Sequence, residues 1–229
     1  MRHTVPRDAV NERGGDAAGL PSWNLDDLYP GPESDALRID LDGAERDAKA
    51  FAERTTGRLA DLSGAELAAA IAEYERIEEV LGRAGSYAQL TFSSDNENPE
   101  HGRFYQQITE RVTTISTHLL GFSLELNKLD DAVVEAKLAD PALARWAPFL
   151  RDLRVFRPHQ LADEIERVLH EKSVTGAAAW QRLFDETIAG MRVQIGEDRL
   201  TVNDALNRLS DKDRARRESA GREIGRAHV

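Results

Sequence analysis

Cysteine is absent from this chain, so disulfides and thiolate metal sites are excluded, and a reducing compartment fits. No apolar run is long enough to span a bilayer, so a membrane location is not expected. The first twenty residues, MRHTVPRDAVNERGGDAAGL, lack the continuous apolar core of a secretory signal and read as a flexible tail over 1–19, which makes the cytoplasm the expected location. Aromatics are sparse at 6%, and basic residues are outnumbered, 30 against 41 acidic ones. The resulting net charge of −11 argues against general nucleic-acid binding, which needs clustered Lys and Arg. The Arg-rich run from Arg214 to Arg222 is interleaved with Glu and reads as a solvated helix. Also missing are a G-x-S-x-G elbow, a Walker loop, a G-x-G-x-x-G fingerprint and an H-E-x-x-H zinc helix.

What remains, 41% apolar and 31% charged residues over 229 positions, is ordinary for a globular chain with a sizeable core. Leu20, Trp23, Leu25, Leu28 and Tyr29 form an apolar cluster that should pin the tail to the first helices. A helix is expected from Glu33 or Ser34 to about Arg54, stopped by Thr55-Thr56-Gly57. Ser63 with Glu66 has capping-box spacing. Leu67, Ile71, Tyr74, Leu81, Gly85, Ala88 and Phe92 then recur at steps of three and four, with one polar slot at Glu78 that neighbouring Ile77 can help fill. After the polar break Ser93–Pro99 comes a second stripe: Phe104, Ile108, Val112, Ile115, Leu119, Phe122 and Leu126. Two long helices joined by so short a loop should pack antiparallel.

A short helix is expected over Asp130–Ala139. Leu143, Trp146, Leu150, Leu153 and Phe156 continue the helical spacing, with Pro148 starting or kinking that element and Arg157-Pro158 ending it. Leu161, Ile165, Val168 and Leu169 mark the next helix, and Trp180, Leu183 and Phe184 mark one over Ala177–Ile188. Met191, Val193 and Ile195, then Leu200 and Val202, alternate about Gly196-Glu197-Asp198 and read as a β-hairpin. Asn203 or Asp204 should cap a last helix continuing into DKDRARRESAGR. The expected fold is mainly α: a helical array with a long antiparallel helix hairpin and one small β-hairpin near 191–202.

Zinc chemistry of the H-E-x-x-H type needs two His one helical turn apart. The six histidines, His3, His101, His118, His159, His170 and His228, include no pair at that spacing. His170-Glu171 is half a motif, and Val174 stands where the second ligand would be. It reads as a chance pair on a solvated face. His159 reads as a polar contact at the start of the following helix, and His118 as a half-buried helix-face residue. The adjacent carboxylates Asp26-Asp27 and Glu78-Glu79 point different ways on a helix and make no acid–base pair. No catalytic or metal-binding residue is assigned.

The opening Trp23-Asn24-Leu25-Asp26-Asp27-Leu28-Tyr29-Pro30, the Ser86–Leu90 segment SYAQL, and Arg157-Pro158-His159 followed by SVTGAAAWQRLFDE to Glu186 occur in an order that resembles the amino-terminal region of oligoendopeptidase F-type enzymes, of the M3 zinc metallopeptidases. The resemblance covers about Leu20 to Arg222, and none of its motifs is catalytic. It implies helices forming one wall of a deep channel, closed by a helical catalytic lobe, which admits short unfolded peptides to a zinc-activated water. The zinc-binding His and Glu and the base Glu would belong to that missing carboxyl-terminal lobe, so no residue here inherits their roles. The Phe184-Asp185-Glu186 region could face the channel, and no substrate-binding residue is assigned. On this reading 20–140 is an amino-terminal helical domain and 141–222 the start of the catalytic-lobe region.

The last seven residues, Glu223 to Val229, can be encoded by GAG ATC GGA AGA GCA CAC GTC, the start of a common sequencing adapter. The expectation is that 223–229 is adapter sequence and that the frame is cut there. Two competing expectations are a self-sufficient helical scaffold that binds through its long hairpin, and a degenerate paralogue that kept the channel wall and lost catalysis.

Overall fold

A computed structural model describes residues 23–227. Helix α1 spans Asp35–Thr55, where the Ser34 hydroxyl accepts from the Leu37 N–H and Gly57 (φ 72°) turns the chain out of the helix. Helix α2 spans Gly64–Ser94 and starts with the reciprocal capping box of Ser63 and Glu66. Helix α3 spans Pro99–Lys128, with Asn98 accepting from the Glu100 N–H and Pro99 in the first turn. The two stripes meet face to face. Phe92 stacks on Tyr105 at 5.3 Å, Tyr87 meets Phe104 at 5.7 Å, and Tyr74 stacks on Phe122 at 5.2 Å, so α2 and α3 run antiparallel. Helix α1 lies antiparallel to α2, as the ion pairs Asp47–Arg76 and Glu73–Arg54 record. Leu41, Ala48, Phe51, Ile71, Leu81, Ile115 and Leu119 fill the three-helix core. Ile77 is fully buried beside half-buried Glu78, and so fills the gap in the stripe.

The far end of this bundle is closed by α4 (Asp131–Leu138), a 3-10 turn at Pro141–Trp146, and α5 (Ala147–Arg154), which bury Val134, Leu143, Trp146 and Leu150. Pro148 sits in the first turn of α5, where its missing N–H costs nothing. Polar atoms tie the closure down. The buried Lys137 ammonium donates to the carbonyls of Ala60, at 2.8 Å, and Leu62. The Arg154 guanidinium donates to the Leu126 carbonyl at 2.8 Å and the Leu129 carbonyl at 2.7 Å, satisfying acceptors at the end of α3, and pairs with Asp131. Glu125 accepts from the Gly57 and Leu59 N–H groups at 2.7 and 2.9 Å and fixes the turn between α1 and α2.

Three expectations are corrected here. The amino-terminal anchor is Tyr29, which is buried, meets Tyr87 edge to face at 5.4 Å and donates to Asp40 at 2.9 Å, with Leu25 and Leu28 packed against the core beside it as expected. Trp23 is 76% exposed, and Leu20 lies outside the described residues. Phe156 does not join the buried stripe but is 67% exposed, because α5 ends at Arg154 and the chain turns before it. The last helix is two helices. Strands β1 (Arg192–Ile195) and β2 (Asp198–Thr201) pair antiparallel about Gly196 (φ 64°), and Thr201, not Asn203 or Asp204, caps α8 (Val202–Asn207). Asp211 then accepts from the Asp213 N–H at 2.8 Å, a local turn that competes with helix, and Asp213 caps α9 (Arg214–Ile224).

Candidate functional site

Of the histidines singled out above, His3 and His228 lie outside the described residues. His101 and His118 are half-buried on α3, and His159 is exposed in a 3-10 turn at Arg157–His159. His159 does not start the next helix. That contact is made by Glu166, whose carboxylate accepts from the Leu161 N–H at 2.8 Å. Among the described residues, no group of three or more His, Asp or Glu side chains could share a metal ion. Asp26 and Asp27 lie in an exposed turn, and Glu79 points to solvent while Glu78 is half-buried.

His170 corrects its reading. It is half-buried, with Nε2 2.9 Å from the Ser116 hydroxyl of α3, and buried Val174 follows one turn on. Glu78 lies within electrostatic reach. Serine, histidine and glutamate are the side chains of a nucleophile, base and orienting acid, but this arrangement is not such a relay. The Ser116 hydroxyl also bonds to the Thr113 carbonyl at 3.1 Å, and it sits in the middle of α3, where the N–H groups that could hold an oxyanion are consumed by the helix. The cluster is a clasp between helices. Burial pushes the Glu78 carboxyl above its ordinary 4.5, partly offset by the Tyr74 hydroxyl and the charge of His170. Burial, then the charge of Glu78, pushes Tyr74 up to about 12.

A folded-state value above the unfolded one means that ionised Glu78 costs stability. The wild-type chain is therefore expected to lose stability as pH rises from about 4.5 through the folded-state value, where Glu78→Gln should not. Urea unfolding across that range checks this, and parallel pH profiles for the two proteins would refute it.

The more unusual geometry belongs to α6 (Asp163–Lys172) and α7 (Ala177–Gly190). Helix α6 is held to α3 by Asp163–Lys128 at 2.5 Å and by His170–Ser116, and Gln160 just before it donates to the Leu124 carbonyl at 3.2 Å. Helix α7 is held by Arg182, which donates to Gln106 at 2.5 Å, and by Glu186 packed over Gly102. On the α3 helical wheel Gly102, Gln106, Ser116, Leu124 and Lys128 share one side, turned away from Ile108, Ile115, Leu119, Phe122 and Leu126. The two helices thus lie end to end along the outer side of α3, spanning about 39 Å of its axis between Gly102 and Lys128.

Their own wheels are inverted. The side facing α3 carries Asp163, His170, Arg182 and Glu186, while Ile165, Val168, Leu169, Trp180, Leu183 and Phe184 point the opposite way; they and Leu161, just before α6, are 48–71% exposed. A helix on a globular surface normally does the reverse. A polar cleft opens where α7 meets the α2–α3 turn, lined by Glu97, Arg103, Gln106, Arg182 and Glu186. Its arginines are already engaged: Arg103 with Glu100, and Arg182 with Gln106 and Glu186. The site's distinctive feature is therefore the outward apolar ribbon of α6 and α7. Sequence spacing marks these residues as helix stripes without assigning them a side, because periodicity gives a stripe and not the side that meets solvent.

The described residues form a mainly α helical array with a long helix hairpin and one small antiparallel sheet. Residues 125–192, which contain α6 and α7, match the family model described as Oligopeptidase F. Among solved structures the chain is similar to oligoendopeptidase-F from Enterococcus faecium, with 19% identity and a TM-score of 0.71, over 88% of this chain and 38% of that one. It also aligns with a Chlamydophila abortus protein described as a peptidase, at 20% identity and a TM-score of 0.46, over 88% of this chain and 34% of that one. The chain thus spans well under half the length of these structures. No curated protein matches it. The family-model match falls within the region whose motifs resemble the amino-terminal part of M3 oligoendopeptidase F-type enzymes, and the likeness to the Enterococcus structure is one of fold. Among the described residues no helix is long and apolar enough to cross a membrane.

Proposed function

We propose that this chain is the amino-terminal channel-wall portion of a cytoplasmic zinc metalloendopeptidase that hydrolyses short peptides, and that it is inactive alone. The observation that carries this reading is the inverted pair α6 and α7, which lies within the segment matching the Oligopeptidase F model. An apolar ribbon of that length is costly in water and marks a surface built to be covered. In the parent a catalytic lobe would cover part of it, and the space between would admit an extended peptide while excluding folded proteins. The residues of this chain supply wall and docking surface, while the zinc ligands and the catalytic base would come from the lobe.

The test is to sequence the source locus past codon 223 and express the extended frame. The expected product contains an H-E-x-x-H helix, binds about one zinc per chain and cleaves short peptides in a chelator-sensitive way. A genomic stop after Val229, or an extended frame without zinc ligands, would overturn the proposal in favour of a helical scaffold.

A further inference from the structure

We propose that a chain of these 229 residues pairs with a second copy of itself through the outward faces of α6 and α7. The inference rests on the geometry of those helices and not on the peptidase reading. Both sit on the same side of α3 through polar contacts, so their apolar stripes point in one direction and form a single ribbon. At roughly 150–250 Å² for a whole Trp180 or Phe184 side chain and somewhat less for the aliphatic ones, the exposures given above put the ribbon on the order of 700 Å². With a polar rim it reaches the roughly 800 Å² per partner that a standard stable interface buries.

The aromatic side chains Trp180 and Phe184 lie on α7 and the aliphatic Ile165, Val168 and Leu169 on α6. A two-fold, antiparallel pairing would set the bulky half of one ribbon against the flatter half of the other. It would also bring the junction of the two helices, at Lys172, near the symmetry axis. Two copies each carrying −11 repel, so pairing should tighten as salt is added.

The experiment is sedimentation velocity on the full chain through the micromolar range. A dimer is expected for the wild type, and a monomer with unchanged circular dichroism for Leu169→Glu combined with Trp180→Glu. The cysteine-free sequence allows a second measurement that needs no disruptive change. Under mild oxidation Lys172→Cys should form a disulfide-linked dimer in high yield, and Ile39→Cys, exposed on α1, should not. A wild type that stays monomeric, a dimer that survives the double substitution, or crosslinking equally efficient through Ile39→Cys would overturn the proposal. None of these outcomes bears on zinc or peptidase activity of an extended frame, so the two readings fail separately.

Discussion

Phe122→Ala is expected to lower the unfolding free energy by about 3–5 kcal/mol. The ring is 3% exposed and sits where the three long helices meet. It lies edge to face with Phe51 of α1 at 4.9 Å and stacks on Tyr74 of α2 at 5.2 Å. Truncation removes the ring's apolar transfer energy, two aromatic contacts and the only atoms that can fill the space, because rigid helices on three sides cannot collapse inward. Equilibrium urea unfolding measures the loss, with buried Trp146 as the reporter. Trp180→Ala, an equally large truncation, should change the stability of the monomeric chain by less than about 0.5 kcal/mol, because its ring is 71% exposed. If Phe122→Ala cost under about 1.5 kcal/mol, or Trp180→Ala cost as much, the assignment of core and outward face would be wrong.

That contrast also marks where the sequence is legible. The hairpin of α2 and α3 could be read closely because each helix carries an uninterrupted stripe, a cap and a short polar loop, so local signals and packing agree. The capping box at Ser63 and Glu66, the Pro99 start and the Gly196 turn form as their residue types require. Where the reading failed, tertiary geometry decided. Phe156 has the right spacing for the core, but the helix carrying the spacing stops two residues before it. The stripes of α6 and α7 are as regular as those of α2 but spacing alone gives them no side; they face outward because Asp163, His170 and Arg182 find partners on α3. Nothing in the order of Leu161, Ile165, Val168 and Leu169 distinguishes burial within the chain from burial against another surface. The clasp at Ser116 and His170 joins residues 54 apart in sequence, and Asp211 broke the last helix through a side chain that a wheel treats only as polar. The motifs that carry the resemblance reached further than periodicity because they carry the spacing of a whole fold.

Gly64 should be the least replaceable glycine of the bundle. It is the first residue of α2 and is buried, and a Cβ placed there would lie 2.4 Å from the Asp140 Cβ and 2.6 Å from the Lys137 carbonyl oxygen. Neither atom can move alone. Asp140 caps the Pro141 turn by accepting from the Ala142 N–H at 2.9 Å, and Lys137 is tied through its ammonium to the Ala60 and Leu62 carbonyls. A methyl group must therefore push the end of α4 off the start of α2, loosening the Lys137 bonds and leaving the Ala60 and Leu62 carbonyls short of a donor. Gly64→Ala is expected to cost about 2–3 kcal/mol despite the better helix propensity of Ala, and Gly64→Val should leave little folded chain at ambient temperature. Gly102→Ala is the control, because its added Cβ would meet the flexible Glu186 carboxylate at 3.3 Å, which can swing aside, and the Phe92 ring at an ordinary contact distance of 4.0 Å. The two alanine variants measured by thermal unfolding should therefore separate clearly. Equal and small losses would mean that α4 does not close on α2 at Gly64, and the account of how the bundle's end is sealed would have to be abandoned.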